Sequence, residues 1–106
     1  MLRTDADLIE QFLRERCQRS QNTEVSYRSQ LRRLGWFCRY RSMRTTRDMT
    51  REEWPNFRGY LRNPPETHVM PQSLGYEDPK WAPFRGPLSE RSAGLAENVA
   101  RAFFAW

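Results

Sequence analysis

The chain has 106 residues, of which 38% are hydrophobic and 29% charged, so its length allows one small domain, residues 1–106, with a modest core. No apolar run approaches the length of a membrane span. Asp5, Asp7 and Glu10 stand where a secretory signal peptide needs a basic and then an apolar stretch, so we expect none. Cys17 and Cys38 lack the spacing of a disulfide framework or zinc site, which favours buried thiols in a reducing cytosol.

The positive charge is concentrated in the first half of the chain. The net charge is +5, and the basic residues are 17 arginines and one lysine. Residues 14–62 hold 13 arginines against five acidic residues, whereas residues 1–13 and 63–106 are net negative. A basic surface of this kind favours an anionic partner, most often nucleic acid. A GC-rich genome would also raise the arginine content, and composition alone leaves both explanations open.

The first predicted helix follows a cap at Thr4 or Asp5 and extends to about Arg19. Its apolar positions recur at helical spacing: Leu8, Ile9, Phe12, Leu13 and Cys17. The arginines near its carboxyl end complement the helix dipole, which explains them more simply than a ligand does.

A second helix is predicted after a cap at Asn22 or Thr23. One face of this helix is predicted to be core and consists of Tyr27, Leu31, Leu34 and Cys38. A second, flanking apolar strip consists of Val25, Trp36 and Tyr40. Arg28, Arg32 and Arg39 line a third strip, with Gly35 between them. A glycine amid arginines would let a phosphate backbone come close. A solvated face with a helix-packing glycine is the alternative.

The third helix is predicted from a capping box of Thr50 and Glu53 to a stop before Pro64. Its apolar side comprises Trp54, Phe57, Tyr60 and Leu61. Residues 63–88 hold six of the seven prolines, so we expect a long loop, whose aromatic residues Tyr76, Trp81 and Phe84 pack on the body. His68 is interpreted as a surface histidine.

The fourth helix is predicted to begin at a cap on Ser89 or Ser92. Its expected core face is Leu95, Val99, Ala102, Phe103 and Trp106. Gly94, Asn98 and Arg101 fall on the opposite side. The apolar pattern is still running at Trp106, which we take to indicate a segment of a longer polypeptide. The sequence contains no phosphate-binding glycine loop, nucleophile elbow or metal-ligand cluster, so we expect binding without catalysis, cofactor or metal.

The run Asn22-Thr23-x-x-x-Tyr27-Arg28-x-x-Leu31 resembles the second helix of the core-binding (SAM-like) domain of tyrosine recombinases, the phage-integrase family. The order of the other segments is similar to that family as well: Phe12-Leu13 in a leading helix, Met49-Thr50 before Trp54 and Phe57-Arg58, and Leu88-Ser89-x-x-Ser92 opening the last helix. The proline-rich segment is a departure, because the commoner pattern joins the third and fourth helices briefly. That departure leaves open whether Arg85 contacts DNA.

The resemblance implies an all-α, four-helix domain that forms half of a clamp around duplex DNA, with the second and fourth helices facing the major groove. The DNA-binding residues predicted on this basis are Asn22, Thr23, Arg28, Arg32, Arg39, Ser89, Arg91, Ser92, Asn98 and Arg101. The catalytic domain of the parent recombinase, with its nucleophilic tyrosine, is absent from the chain. Implied partners are double-stranded DNA and other recombinase subunits in a synaptic complex. We expect the isolated domain to be monomeric, without a membrane partner, in the cytoplasm at the nucleoid.

A helical protein–protein interaction module is the alternative. Small helical domains often have that role, and exposed aromatic residues at Phe104 and Trp106 would favour it.

Overall fold

Four α-helices build the core of the structure, a computed structural model that describes residues 4–17 and 21–106. In chain order they are α1, α2, α3 and α4, at Asp5–Arg16, Gln21–Tyr40, Trp54–Arg62 and Glu90–Ala105. Short 3-10 turns occupy Thr46–Asp48, Arg51–Glu53 and Glu66–His68. The described residues contain no strand beyond an isolated bridge between Val69 and Phe84. The prediction of an all-α fold is confirmed.

Helix α1 begins where the sequence predicts and packs against α2. The Thr4 hydroxyl accepts a hydrogen bond from the Asp7 amide at 3.2 Å, and the Asp7 carboxylate accepts one from the Thr4 amide. Phe12 and Leu13 are buried as expected. The helix ends at Arg16, and Arg19, which the prediction included, lies outside the described residues. Cys17 follows the helix and is buried.

The start and the flanking strip of α2 differ from the prediction. The helix is already formed at Gln21, so Asn22 and Thr23 lie in its first turn and are not its cap. Leu31 and Cys38 are buried as predicted, but Val25 and Tyr40 of the flanking strip are exposed. Phe37 and Gln30, which the pattern did not select, are buried. The buried face is therefore turned toward Phe37, because α3 packs on that side.

Helix α4 buries its small residues, and this corrects the predicted core face. Val99 and Phe103 are buried as expected, whereas Leu95 is 42% exposed and Ala102 is exposed. The positions that do face the core are alanines: Ala93, Ala96 and Ala100. The α2–α4 pair is the most extensive helix–helix contact. Alanines at the contact let the backbones of α2 and α4 approach closely. Leu95, which lies among these alanines in the sequence, is exposed to solvent.

The capping box predicted for α3 is absent. Thr50 accepts no side-chain hydrogen bond, and a 3-10 turn precedes Pro55 at the start of the helix. The Glu53 carboxylate instead accepts two hydrogen bonds from the Arg41 guanidinium, at 2.9 and 3.0 Å. A bidentate ion pair with arginine is stronger than a hydrogen bond from a backbone amide at the helix start. Glu53 therefore pairs with Arg41 and does not cap α3. Phe57, Tyr60 and Leu61 are buried as predicted.

The proline-rich segment, residues 63–89, crosses from α3 to α4 and is held by Phe84. The Phe84 side chain is fully buried. Its amide donates to the His68 carbonyl at 3.2 Å, and its carbonyl accepts from the Met70 amide at 2.7 Å. The Leu88 amide donates to the Leu61 carbonyl at 3.0 Å, which fixes the approach to α4. The expectation that the second half of the segment packs on the body is correct for Phe84.

His68 lies in an aromatic cluster, and its interpretation as a surface histidine is wrong. Its ring is half-buried and stands edge-on to Trp36 at 5.1 Å and to Tyr40 at 5.4 Å. The Tyr60 hydroxyl and His68 Nδ1 are 2.8 Å apart and hydrogen-bonded. Burial, with a further contribution from the Arg39 charge, lowers the pKa of His68, so the cluster favours the neutral ring.

We predict that Ala96→Leu destabilises the fold by about 1–3 kcal/mol, because the larger side chain has no room between α2 and α4. The matched change Leu95→Ala, at an exposed position one residue away, should cost less than about 1 kcal/mol. Urea unfolding followed by circular dichroism measures both. If Leu95→Ala lowers the free energy of unfolding more than Ala96→Leu does, the core face expected from the sequence would be correct.

Candidate nucleic-acid interface

The predicted arginine strip of α2 borders α1, and its first member is engaged there. Arg28 makes a bidentate pair with Glu10 of α1, with Nε–Oε1 at 3.1 Å and Nη2–Oε2 at 2.9 Å. Its Nη2 also donates to Glu24, one turn earlier, at 3.1 Å. The hydrogen bond from Arg28 lowers the pKa of Glu10 against the opposing effect of burial. Arg28 therefore links α1 to α2, and two carboxylates compensate its charge.

Arg32 joins the strip to the proline-rich segment. Its guanidinium carbon lies 3.4 Å from the centroid of the Tyr76 ring and 5.9 Å from that of Trp81. The two rings meet edge to face at 4.9 Å. Arg32 is half-buried, and within the described part of the chain it has no carboxylate partner. The cation–π contact holds the guanidinium in place without a direct ion pair, although its charge helps to lower the pKa of Glu10.

Arg39 is the exposed member of the strip. Its guanidinium lies 5.3 Å from the Trp36 ring, and it pairs with no carboxylate among residues 4–17 and 21–106. The exposed Arg44, which follows α2, uses its backbone amide to bind Asp48. Neither guanidinium forms an ion pair with a residue that the structure describes.

These arginines surround a depression of about 250 Å³ above Gly35, which we call the Gly35 depression. Its basic and aromatic lining is Arg32, Trp36, Arg39, Arg44 and Tyr76. A Cβ atom added to Gly35 would meet nothing within 4 Å, so the glycine is not there to let another element pack. The helix backbone is open to a ligand at this point.

Asp5 is the acidic residue among the described lining of the Gly35 depression. Its carboxylate accepts hydrogen bonds from the Thr46 amide and hydroxyl, at 3.0–3.1 Å. Thr46 is buried, so this contact ties the turn after α2 to the start of α1. The lining therefore carries three arginines against one carboxylate that is already hydrogen-bonded.

The α4 residues predicted to bind DNA lie elsewhere, since none of them is among the described residues that line the Gly35 depression. Ser89 caps α4 and accepts from the Ser92 amide at 3.2 Å. Arg91 and Asn98 are exposed. Arg101 is engaged, because it pairs with Glu97 at 2.9 Å and its guanidinium stacks 4.3 Å from the Trp54 ring.

Sequence patterns did not predict Arg44 or either aromatic wall of the depression, Trp36 and Tyr76, as part of a site. The patterns place Trp36 in an apolar strip and Tyr76 in the packing of a loop. No local pattern joins positions this far apart, and only the fold brings them together. Arg33, next to Arg32, was not selected either, and it lines a separate groove.

Other kinds of site receive no support from the described residues. Groups of three or more metal-ligating side chains are not found among them. Cys17 and Cys38 are free and buried, and burial raises the pKa of Cys38 to about 12, so that thiol is unreactive. No described helix is both long enough and apolar enough to cross a membrane.

Comparisons of the chain with protein-family models, curated proteins and solved structures gave no match.

We predict that Arg28→Gln destabilises the fold by about 1 kcal/mol at pH 7, because it removes the bidentate link between α1 and α2. The pKa of Glu10 is lowered in the folded state from its usual 4.5, so the unfolded state binds the proton more readily. The stability from this pair is therefore present above pH 4.5 and is lost as pH falls through the lowered pKa. Urea unfolding of both proteins between pH 3 and pH 7 should show the difference shrinking in acid.

Arg39→Gln is the control for Arg28→Gln, because Arg39 has no carboxylate partner in the described chain. It should change stability by less than about 0.5 kcal/mol at either pH. Equal losses for the two variants would contradict the assignment of Arg28 as a link between helices.

Proposed function

We propose that this chain is a duplex-DNA-binding domain, and that the Gly35 depression receives a backbone phosphate. The observation that carries the proposal is the set of three arginines, Arg32, Arg39 and Arg44, that surround an open helix backbone without an available carboxylate. Arginine presents a planar fork of donors that matches phosphate oxygens. The glycine adds close approach to the helix, which a side chain would block.

A polyanion accounts for this surface better than a small anion does. Arg39 and Arg44 are exposed at the depression, and most of its basic lining comes from residues 14–62, which carry the excess of arginine. DNA presents phosphates in rows and gains affinity from each arginine that replaces a counterion. Trp36 and Tyr76 add flat surfaces beside the phosphate position that suit the sugar–phosphate backbone.

The resemblance to tyrosine recombinases supplies the wider context of the proposal. The all-α order of four helices is compatible with a SAM-like core-binding domain, and Tyr27, Arg28 and Leu31 stand in α2. In this reading the domain holds a recombinase on its DNA site and meets other subunits in a synaptic complex at the nucleoid. Cutting and rejoining of DNA would belong to residues outside this chain.

Within the proposal the predicted residues divide into two groups. Arg32 and Arg39 face the phosphate position, and the exposed Arg91 and Asn98 of α4 are available for a second contact. Arg28 acts through the α1–α2 pair, so it positions the strip. Arg101 is held by Glu97 and Trp54, and it ranks behind Arg91 as a DNA contact.

The protein–protein alternative was based on exposed aromatic residues, and Phe104 is exposed whereas Trp106 is half-buried. Phe104 is 38% exposed and its ring packs edge-on against Trp54 at 5.7 Å. Trp106 is half-buried against Phe12, with ring centroids 5.6 Å apart. Both aromatic residues therefore contribute to the fold of this chain.

We predict that Arg39→Gln lowers the salt dependence of duplex-DNA binding by about one unit in the slope of log K against log salt, because one phosphate contact is lost. Fluorescence anisotropy with a labelled duplex between 50 and 200 mM salt measures the slope. Arg51→Gln is the control, since Arg51 is exposed, has no described ion pair and does not line the depression. Binding that ignores salt, or equal slopes for the two variants, would contradict the proposal.

We further predict that Gly35→Ala separates stability from binding. Replacing a helical glycine by alanine stabilises a helix by about 0.5–1 kcal/mol where space allows, and space is open here. The same methyl group occupies the phosphate position, so affinity for duplex DNA should fall. Gly59→Ala in α3, also with open space, should stabilise the fold equally without weakening binding. Thermal unfolding measures the stability of both variants, and fluorescence anisotropy measures their affinity for duplex DNA. Unchanged affinity in Gly35→Ala would contradict the assignment of a phosphate to this position.

A further inference from the structure

A second basic groove lies beside the Gly35 depression, between α2 and the proline-rich segment. Its volume is about 520 Å³, and we call it the Arg33–Arg85 groove. The polar part of its lining comprises Ser29, Arg33, Ser73, Arg85 and the backbone at Gly86. No acidic side chain is among the described residues that line it. An open groove with two arginines and no carboxylate attracts an anion.

Arg33 is half-buried in the wall of this groove without a charged partner. Its Nε donates to the Pro83 carbonyl at 3.1 Å, and its Nη1 donates to the Gln30 amide oxygen at 2.8 Å. Both acceptors are neutral, and Nη2 has no hydrogen-bond acceptor within the described chain. A partly buried cation is costly unless a counter-charge is near it. The guanidinium is therefore positioned by neutral groups, with donors left over for an anion.

Arg85 is the second arginine that lines the groove. It is exposed, makes no ion pair with any described residue and directly follows the buried Phe84. The backbone before and after Arg85 is fixed by hydrogen bonds. Phe84 is hydrogen-bonded to His68 and Met70, and Leu88 is hydrogen-bonded to Leu61. Gly86 leaves the groove open, since an added Cβ would meet nothing within 4 Å. The side chain thus extends from a rigid part of the segment.

The groove and the Gly35 depression stand on two sides of one aromatic pair. Tyr76 lines the depression and Trp81 lines the groove, and their ring centroids are 4.9 Å apart. Arg32 stacks on this pair from α2. A DNA strand laid across the pair would reach both basic sites.

We propose that the Arg33–Arg85 groove binds a second backbone phosphate of the same duplex, held by the guanidinium groups of Arg33 and Arg85 and the Ser73 hydroxyl. This inference rests on the proposed function, because it needs a bound duplex. It assigns a charged DNA contact to the proline-rich segment, in addition to the aromatic surface that Tyr76 gives the Gly35 depression.

The first test is the salt dependence of duplex binding by the full 106-residue chain. Arg85→Gln should lower the slope of log K against log salt by about one unit, which makes the loss of affinity between 50 and 200 mM salt about fourfold smaller. Arg51→Gln should leave the slope unchanged. Arg85 is exposed and unpaired within the described chain, so its loss should not unfold the domain.

The second test follows the groove itself by ¹H–¹⁵N NMR during titration with the duplex. The Arg33 Nε–H and Gly86 amide resonances should shift in the natural sequence and in Ser29→Gln. They should not shift in Ser29→Glu, which supplies a carboxylate to Arg33 from a neighbouring turn of α2. Circular dichroism of the Glu and Gln variants confirms that both are folded.

The outcomes distinguish the two proposals. Duplex binding in which Arg85→Gln keeps the natural slope, or in which the groove resonances do not move, overturns the groove inference and leaves the proposed function standing. Absence of duplex binding at low salt overturns both. A parallel titration with inorganic phosphate identifies the source: shifts in the groove with phosphate but none with duplex would overturn DNA as the ligand.

Discussion

The burial of Phe84 holds the proline-rich segment on the body of the protein, where that segment supplies one wall of each basic site. Residues 63–89 hold six prolines and only a three-residue 3-10 turn, so hydrogen bonds of a regular element do not hold them. Phe84 supplies the fixed point, with its ring 5.2 Å from that of Tyr60 and the Arg33 guanidinium 5.3 Å away. Burying a phenylalanine of this kind contributes about 3 kcal/mol or more. Because Phe84 is held, Pro83 meets Arg33 and the Tyr76–Trp81 pair meets Arg32.

Sequence patterns predicted the elements whose stability is local. The Thr4 cap and the buried Phe12 and Leu13 of α1 follow from spacing alone, as do Phe57 and Leu61 of α3. The failures have non-local causes. Glu53 did not cap α3 because Arg41, 12 residues away, offered a charged partner. Leu95 belongs to the core face predicted for α4 together with Val99 and Phe103, yet the buried positions next to it are alanines.

The candidate site was predictable only in outline. Helical spacing placed Arg28, Arg32 and Arg39 on one face of α2 correctly, and it marked Gly35 between them. Helical spacing gave no information on which of these arginines pair with a carboxylate and which remain free to bind a ligand. Glu10 compensates Arg28 from another helix. Arg44 reaches the depression because Asp5 binds Thr46 and fixes the turn after α2. These relations depend on how α1 lies against α2, which the periodicity of a single helix does not contain.

Pairing with carboxylates sorts the arginines into those that hold the fold and those that face outward. Each of five arginines has a glutamate within 3.3 Å: Arg28, Arg41, Arg58, Arg62 and Arg101. The arginines around the Gly35 depression and the Arg33–Arg85 groove have none in the described chain. These five arginines are balanced by five glutamates in total, since Glu97 serves both Arg58 and Arg101 while Arg28 pairs with Glu10 and Glu24. The net charge of +5 is therefore expressed mainly at the unpaired positions. A modest net charge can therefore produce a strongly basic surface, because the acidic residues are used on other faces.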